Sequence, residues 1–468
     1  MGGGEKRDRG AFGFSNMGFG KYFMCFSVAV NAVLLSRLLY ERGVRYDCSE
    51  MHSGGLFFEG EGKECKNEGV HLNTSPSKPP ALTSDTHKSS VPSDTVINFD
   101  HGDPTLFIPF WRRTGESSTI VIKGWQSMSY FSDIKSVCWF LEPGLADSIL
   151  QLHHLVGNAE TEGRHIVVGT GSSQLFLAAV YALAPRDTKE PISVVGAAPF
   201  YSSYQAASDY LRSEVFRWAG DAYAFERERV GGEERPYIEL VTSPNNPDGF
   251  TREAVVNGSM GKIIYDFAYY WPHYTPITSP ADKDIMLFTV SKSTGHAGTR
   301  IGWALVKDLE VAKRMTMFIV LNTIGVSKDS QLRAANILRT VISSYERKGG
   351  IIMGRGAYEN FFKHGHELMS KRWERLRQAV DIHKRFSLPE FPSAFCNFLG
   401  RPSSTQPAFA WTKCEGDEIE DCEAFLKSHN ILTRGGRSFG WDPKYVRISL
   451  LDTDSNFDIF INRISNIN

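Results

Sequence analysis

Five short stretches of the 468-residue chain hold side chains that do chemistry, and they follow one another in a telling order. The first is Gly169-Thr170-Gly171-Ser172-Ser173, set between the apolar run His165–Val168 and a helical pattern from Ser172 to Leu183. Backbone N–H groups and hydroxyls at a helix N-terminus suit a phosphate. A plain βα turn is an equal reading, and Gln174 at the third glycine position disfavours a dinucleotide fingerprint. The second, Ser243-Pro244-Asn245-Asn246-Pro247-Asp248-Gly249, reads alone as a turn. The third places Asp266 at the C-terminal end of an apolar strand, followed by Phe267-Ala268-Tyr269. Open α/β sheets bind ligands at that end, although a lone strand-end Asp is more often a cap. The fourth runs Thr289-Val290-Ser291-Lys292 and on to Arg300 through a Ser/Gly-rich loop. Partial desolvation there lowers a lysine's pKa, which suits an amine that attacks a carbonyl, although the motif alone reads more often as a surface lysine beside a glycine-rich loop. Arg300 offers a permanent, forked anion clamp. The fifth is Arg447, inside the apolar strand Tyr445–Leu450, where a buried guanidinium needs an anion from either the protein or a substrate.

One chemistry asks for all five together. Pyridoxal phosphate needs a phosphate cup, an acid facing its pyridine nitrogen, donors to its ring oxygen and a lysine that condenses with its aldehyde. Gly169 to Ser173, Ser172 and Ser173 among them, form the cup with Arg300, and Thr289 and Ser291 complete the cofactor set beside the lysine. Asp266 takes the nitrogen, and Asn246 and Tyr269 take the ring oxygen. Lys292 both holds the cofactor and moves the substrate proton. No metal is called for.

The elements that must position these groups are legible from Val96 onward. Apolar runs at His165–Val168, Pro191–Ala198, Tyr237–Thr242, Lys262–Tyr265 and Ile285–Val290 alternate with helical patterns. That predicts an α/β body around a large, mainly parallel sheet over residues 96–344, with an N-terminal arm. Residues 345–468 predict a smaller C-terminal α+β domain, with a long helix through 359–380 and strands at Phe395–Leu399, Ala408–Trp411 and Tyr445–Leu450. Glu226–Arg235 reads as a solvated loop. Lys+Arg number 52 against 53 Asp+Glu, which argues against a nucleic-acid partner. Seven cysteines are too few for a disulfide-dense scaffold.

The first 95 residues are of another kind. Residues 1–21 are polar, and 22–40 are apolar enough and just long enough for a single transmembrane helix. A cleaved signal is the rival, but no small-x-small site follows the run. Residues 41–95 form a flexible linker, rich in Ser, Thr and Pro from Thr74 to Thr95. Cys48 and Cys65 can pair, and Asn73 and Asn257 can be glycosylated, only if they face an oxidising lumen.

From Ile97 to the C-terminus the chain resembles the plant tryptophan aminotransferase-related group of the alliinase family. The strings that carry the resemblance include Asp100-His101-Gly102-Asp103-Pro104, Met128 to Asp133, Cys138 to Pro143 and Ala198-Pro199-Phe200-Tyr201. Asp266 to Tyr274, Ser291 to Gly298 and Asn322 to Lys328 continue it. The resemblance implies a fold-type-I pyridoxal 5′-phosphate enzyme that transfers the amino group of L-tryptophan to a 2-oxo acid such as pyruvate. The product, indole-3-pyruvate, leads to auxin. It further implies a homodimer with active sites at the subunit boundary, where Tyr130 reaches the phosphate of the partner subunit. Tyr201 lies over the pyridine ring, with Phe200 as the alternative, and Arg447 grips the substrate carboxylate. Some members are anchored in the endoplasmic reticulum membrane, as a single-pass helix at 22–40 would do here. The sequence departs from alliin lyases before the catalytic body, where only Cys48 and Cys65 remain of a cysteine-rich, epidermal-growth-factor-like module. That favours transfer over the alternative, a carbon–sulfur lyase acting on cysteine sulfoxides.

Overall fold

The apolar runs assemble into one twisted sheet because their strands are long enough to be covered on both faces and carry few charges. In the computed structural model, which describes residues 95–185, 190–229, 235–346, 351–352 and 358–467, they follow a short strand β1 (Ile97–Asn98). The sheet contains β2 (His165–Gly169), β3 (Ile192–Gly196), β4 (Phe216–Asp221), β5 (Tyr237–Thr242), β6 (Gly261–Asp266), β7 (Ile285–Thr289) and β8 (Gly302–Val306). Their order is β2-β8-β7-β6-β5-β3-β4. Only β8 runs against its neighbours; every other pair in the sheet is parallel. Strands β5, β7 and β8 are buried at every residue, as doubly covered strands must be.

Two of these strands are not evident in the sequence. β4 lies at the sheet edge with a mostly half-exposed face, so its residues FRWAGD carry no strong apolar signal. β8 follows so closely on the glycine-rich loop after Lys292 that it reads as part of that loop. Glu239 is the exception within β5: its buried carboxylate accepts the N–H groups of Val255 at 2.8 Å and Val256 at 2.9 Å. The expected loop at Glu226–Arg235 is helical in its first part, since the helix Ala222–Arg229 carries a Glu226–Arg229 ion pair one turn apart.

Helix Gly171–Leu183 packs on the sheet and against helix Leu309–Thr323, while Pro143–Val156 packs against Lys328–Glu346. The C-terminal part holds a four-stranded sheet in the order 386–387, 409–414, 445–449, 434–435, and the helix Phe361–Asp381. The strand expected at Phe395–Leu399 is Ser393–Cys396, in a hairpin with Arg401–Ser404. Two findings change the expected division at residue 344. That position falls inside the helix Lys328–Glu346. The N-terminal arm also belongs with the C-terminal part: β1 pairs in parallel with Ile431–Leu432, and Ser449 N–H bonds Phe99 O at 3.0 Å. The described residues lie within one contact unit, Lys88–Asn468.

Cys414 and Cys422, eight residues apart and both buried, form a disulfide that the sequence reading did not anticipate. The expected transmembrane helix at 22–40, the linker, Cys48, Cys65 and Asn73 lie outside the described residues. Among the described residues no helix is long and apolar enough to cross a membrane. Asn257 is exposed, in the segment between β5 and β6.

Candidate active site

The parallel strands β6 and β7 end side by side, and their C-terminal ends deliver the reactive groups. Lys292 sits in the one-turn helix Val290–Ser293 that follows β7 directly. Thr289 caps this turn, accepting the Ser291 N–H at 3.2 Å and donating its own proton to Ile301 O at 3.0 Å. From behind, the fully buried His273 meets the Lys292 carbonyl through Nε2 at 3.1 Å. A carbonyl only accepts, so Nε2 carries the proton, and burial pushes the imidazole pKa down to about 3, keeping it neutral. Ahead, the Lys292 amine donates to the carbonyl of Gly102. A side chain at Gly102 would place its Cβ 2.9 Å from Phe409 and 3.2 Å from the amine, so glycine is what lets that carbonyl approach. Lys292 is half-buried by area but densely surrounded by protein. Desolvation, then the charge of Arg447, bring its pKa down to about 8, against weaker support from Asp103.

Asp266, the last residue of β6, is buried beside it. One carboxylate oxygen accepts Ala268 N–H at 3.0 Å and the other accepts the Tyr204 hydroxyl at 3.2 Å. The Tyr204 oxygen lies 2.8 Å from Thr242 Oγ1, at the end of β5. Burial pushes Asp266 up to about 6, while the Ala268 and Tyr204 hydrogen bonds pull it back down.

Arg447 answers the question its sequence left open. It is 3% exposed, and no carboxylate among the described residues lies within ion-pair distance. Its Nη1 donates to Asn246 Oδ1 at 3.1 Å and its Nη2 to the backbone carbonyl of Asp100, while buried Nε has no partner. The ring of Phe409 lies 4.3 Å from its Cζ. Burial and the nearby charge of Arg434 lower its pKa to about 10. Arg434 itself is satisfied, because the Asp100 carboxylate grips it through both oxygens. Asn246 gives its oxygen to Arg447, which leaves its amide N–H groups as the donors it can offer a ligand.

An anion cradle closes the other end. Gly171 opens the helix Gly171–Leu183 at φ +74°, a conformation that favours glycine, and a Cβ there would strike the Arg300 guanidinium. Thr170 at the N-cap makes no side-chain cap and gives its own N–H to Gln174 Oε1 at 2.7 Å, and among the described residues no side chain accepts the N–H groups of Gly171, Ser172 and Ser173. Ser172 is half-buried and Ser173 exposed, beside these N–H groups. Gly302 in β8 lets the turn approach: a Cβ there would lie 2.8 Å from Gly171 C and Ser172 N. Arg300 is held at φ +56°, unusual for a side-chain-bearing residue, with Nη1 bonded to Ala297 O at 2.9 Å. Ser291 is buried in the adjoining turn.

Aromatic rings line the space between. Tyr201 makes an edge contact with Tyr204 at 5.3 Å, whereas Phe200 packs away against Trp218 at 4.8 Å, which favours Tyr201 as the ring over the cleft. Tyr269 is buried between Tyr274 and Phe409, with the Lys292 amine 5.8 Å from its ring. Burial holds its phenol far above the ordinary range, so it stays a donor. Thus Lys292, Asp266, Asn246, Tyr269, Tyr201 and Arg447 come together, with Thr289 and Ser291 in the turn that carries the lysine. Ser172, Ser173 and Arg300 form the cradle. Tyr130 does not join them within one protomer; it is 67% exposed and makes no hydrogen bond or ring contact with the others. The sequence reading missed Tyr204, Thr242, His273 and the carbonyls of Asp100 and Gly102. Backbone carbonyls leave no trace in residue type, and the side chains meet the site only through the fold.

Residues 97–468 match the allinase family model. The chain is 56% identical over 373 residues to tryptophan aminotransferase-related protein 2 of Arabidopsis thaliana, covering 80% of this chain and 81% of the relative. It is 55% identical over 394 residues to the rice protein of that name, covering 83% and 76%. It is 38% identical over 362 residues to alliin lyase 1 of Allium sativum, covering 76% and 72%. An aminotransferase from Staphylococcus aureus shares the fold, with TM-score 0.55 and 17% identity over 82% of this chain and 96% of that one. The desolvated amine, the buried acid, the helix end beside Arg300 and a guanidinium with no carboxylate partner among the described residues together fit a phosphorylated aldehyde cofactor and an amino-acid carboxylate. The chain belongs to the allinase family of pyridoxal 5′-phosphate-dependent enzymes, built on the fold-type-I aminotransferase architecture.

Proposed function

We propose that this enzyme transfers the amino group of L-tryptophan to a 2-oxo acid such as pyruvate, yielding indole-3-pyruvate, and so serves auxin formation. The observation that carries an α-amino-acid substrate is Arg447, a buried guanidinium with no carboxylate partner among the described residues, close to a desolvated lysine. The tryptophan assignment takes its support from the names of the 55–56% identical relatives.

In this reading each residue has one task. Pyridoxal phosphate, when bound, supplies an electron sink conjugated to the substrate Cα. The helix end at Gly171 with Ser172, Ser173, Ser291 and Arg300 holds the phosphate. Thr289 shapes the turn that carries Lys292. Asp266 keeps the pyridine nitrogen protonated, Asn246 and Tyr269 donate to the ring oxygen, and Tyr201 covers the ring face. Arg447 takes the carboxylate of each substrate in turn by a bidentate pair. The Lys292 amine, neutral in a useful fraction because its pKa is near 8, removes and returns the Cα proton.

A second copy completes the site. The segment around Tyr130 exposes Val121, Trp125, Met128, Phe131 and Ile134, and it is tied down by Lys328, whose amine donates to Phe131 O at 2.7 Å. Leu321 and Ile324 are exposed nearby in sequence to Lys328. An apolar surface of this extent calls for a partner, and we assign it to a homodimer in which Tyr130 reaches the partner's phosphate cradle. An anchor at residues 22–40 in the endoplasmic reticulum membrane remains part of the proposal.

The test gives residues 96–468 tryptophan with and without pyruvate and identifies products by mass spectrometry. Indole-3-pyruvate and alanine forming only with the acceptor support transfer. Pyruvate and ammonia released from a cysteine sulfoxide, with no acceptor required, would replace it with the lyase.

A further inference from the structure

The buried acid at the end of β6 has a support that the family reading leaves unassigned. We infer that Tyr204 and Thr242 form a one-way hydrogen-bond relay that holds the Asp266 carboxylate in place and ionised, making both of them positioning residues. The inference deepens, and rests on, the reading of Asp266 given above.

With the Asp266 carboxylate ionised, the distances leave one consistent arrangement of protons. Thr242 and Asp266 are register partners on β5 and β6, and Tyr204 enters from the helix Ser202–Leu211 on a neighbouring layer. The Tyr204 oxygen is 3.2 Å from Asp266 Oδ2 and 2.8 Å from Thr242 Oγ1. An ionised carboxylate can only accept, so the single Tyr204 proton points to Oδ2. The Tyr204 oxygen is then left as an acceptor, and the Thr242 hydroxyl points to it. Ala268 N–H occupies Oδ1 at 3.0 Å, so both carboxylate oxygens have donors. All three groups are at least nine-tenths buried, and Phe176 closes on Tyr204 edge-on at 5.2 Å. Bonds aligned in one direction in a buried, low-dielectric site strengthen one another.

The charges around the acid are few. Lys292 and Tyr269 share its surroundings; Lys292 favours the ionised carboxylate, and the Tyr269 phenol stays neutral. Tyr204 is likewise pushed far above the ordinary phenol range, first by burial and then by Asp266, so it keeps its proton to donate. Burial alone drives Asp266 toward the neutral acid; it titrates near 6 because Ala268 and Tyr204 oppose that drive. Removing the Tyr204 hydroxyl keeps the burial and loses the donor. The carboxyl then titrates at higher pH, and more of it is neutral at pH 7. A neutral carboxyl would no longer supply the negative charge that holds a proton on the pyridine nitrogen of a bound cofactor, while the Arg447 clamp is untouched.

The experiment follows the Asp266 carboxyl by 13C NMR in the apoenzyme, with the resonance assigned by its loss in Asp266→Asn. Tyr204→Phe should raise the midpoint by about one pH unit or more. Thr242→Val should raise it by less, and Thr242→Ser should keep the wild-type midpoint. In the holoenzyme, Tyr204→Phe should lower kcat roughly tenfold or more with KM for tryptophan changed by less than about twofold. A merely structural role would lower thermal stability and leave the midpoint where it was, and that outcome overturns the relay. The Thr242 pair decides the matter if Tyr204→Phe does not fold: equal midpoints in Val and Ser variants also overturn it. Because the titration needs no cofactor, a raised midpoint in a protein that fails to bind pyridoxal phosphate supports the relay and sinks the cofactor reading.

Discussion

Arg447 carries a full charge where almost no water reaches it, and its protein partners are one amide oxygen and one carbonyl. Burial of this kind is costly, and a fold tolerates it where the charge is needed by something that comes and goes. The planar fork matters as much as the charge, because two parallel N–H groups match a carboxylate and an ammonium does not. Arg447→Lys should therefore raise KM for tryptophan and for pyruvate together, by roughly 10- to 100-fold, or about 1.4 to 3 kcal/mol. Both substrates present the same carboxylate to the same fork, so steady-state kinetics that show only one KM rising would move the clamp elsewhere. The charged and amide groups of the site could be read from residue type, because Lys292, Asp266 and Arg447 each close or interrupt an apolar run. Arg447's acceptor from Asp100 could not, since a main-chain carbonyl is the same in every sequence.

At the scale of elements, strand ends do the positioning. β6 and β7 are parallel neighbours, so their C-terminal ends set Asp266 and Lys292 on one edge of the sheet. The cradle depends on a closer fit, where β8 passes under the first turn of the helix Gly171–Leu183. A methyl at Gly302 would meet Gly171 C and Ser172 N at 2.8 Å and Phe288 O at 2.9 Å, all backbone and none able to swing aside. Gly302→Ala should destabilise the fold by about 1–3 kcal/mol and weaken cofactor binding by displacing the helix end. Thermal unfolding and a pyridoxal phosphate titration of the apoenzyme check the two effects, and a variant of unchanged stability and affinity would show that the turn has room. The periodic apolar runs made β2, β3, β5, β6 and β7 legible. β4 and β8 escaped because an edge strand is half polar and a short strand behind a glycine-rich loop has no boundary of its own. Tyr204 escaped for a different reason: its bond to Asp266 spans 62 positions.

In the whole molecule, one predicted cofactor ligand stands apart from the rest. Tyr130 is 67% exposed on an apolar segment, and that segment is held against the protein by Lys328 and by Ser132, which bonds Glu142 at 2.6 Å. A segment so fixed and yet so apolar is built to be covered, and a twofold pair covers each copy with the same surface of the other. If Tyr130 serves the partner's phosphate, a dead lysine and a dead tyrosine can complement each other. Coexpressed Lys292→Ala and Tyr130→Phe chains would form hybrids in which one site receives both defects and the other receives neither. Random pairing makes half the dimers hybrids, each with one intact site of two, so activity should return to roughly a quarter of wild type. The assay is run at limiting pyridoxal phosphate, where each variant alone is weak. Were Tyr130 to act within its own chain, every site in the mixture would carry a defect. The pooled activity would then not rise above the average of the two parents.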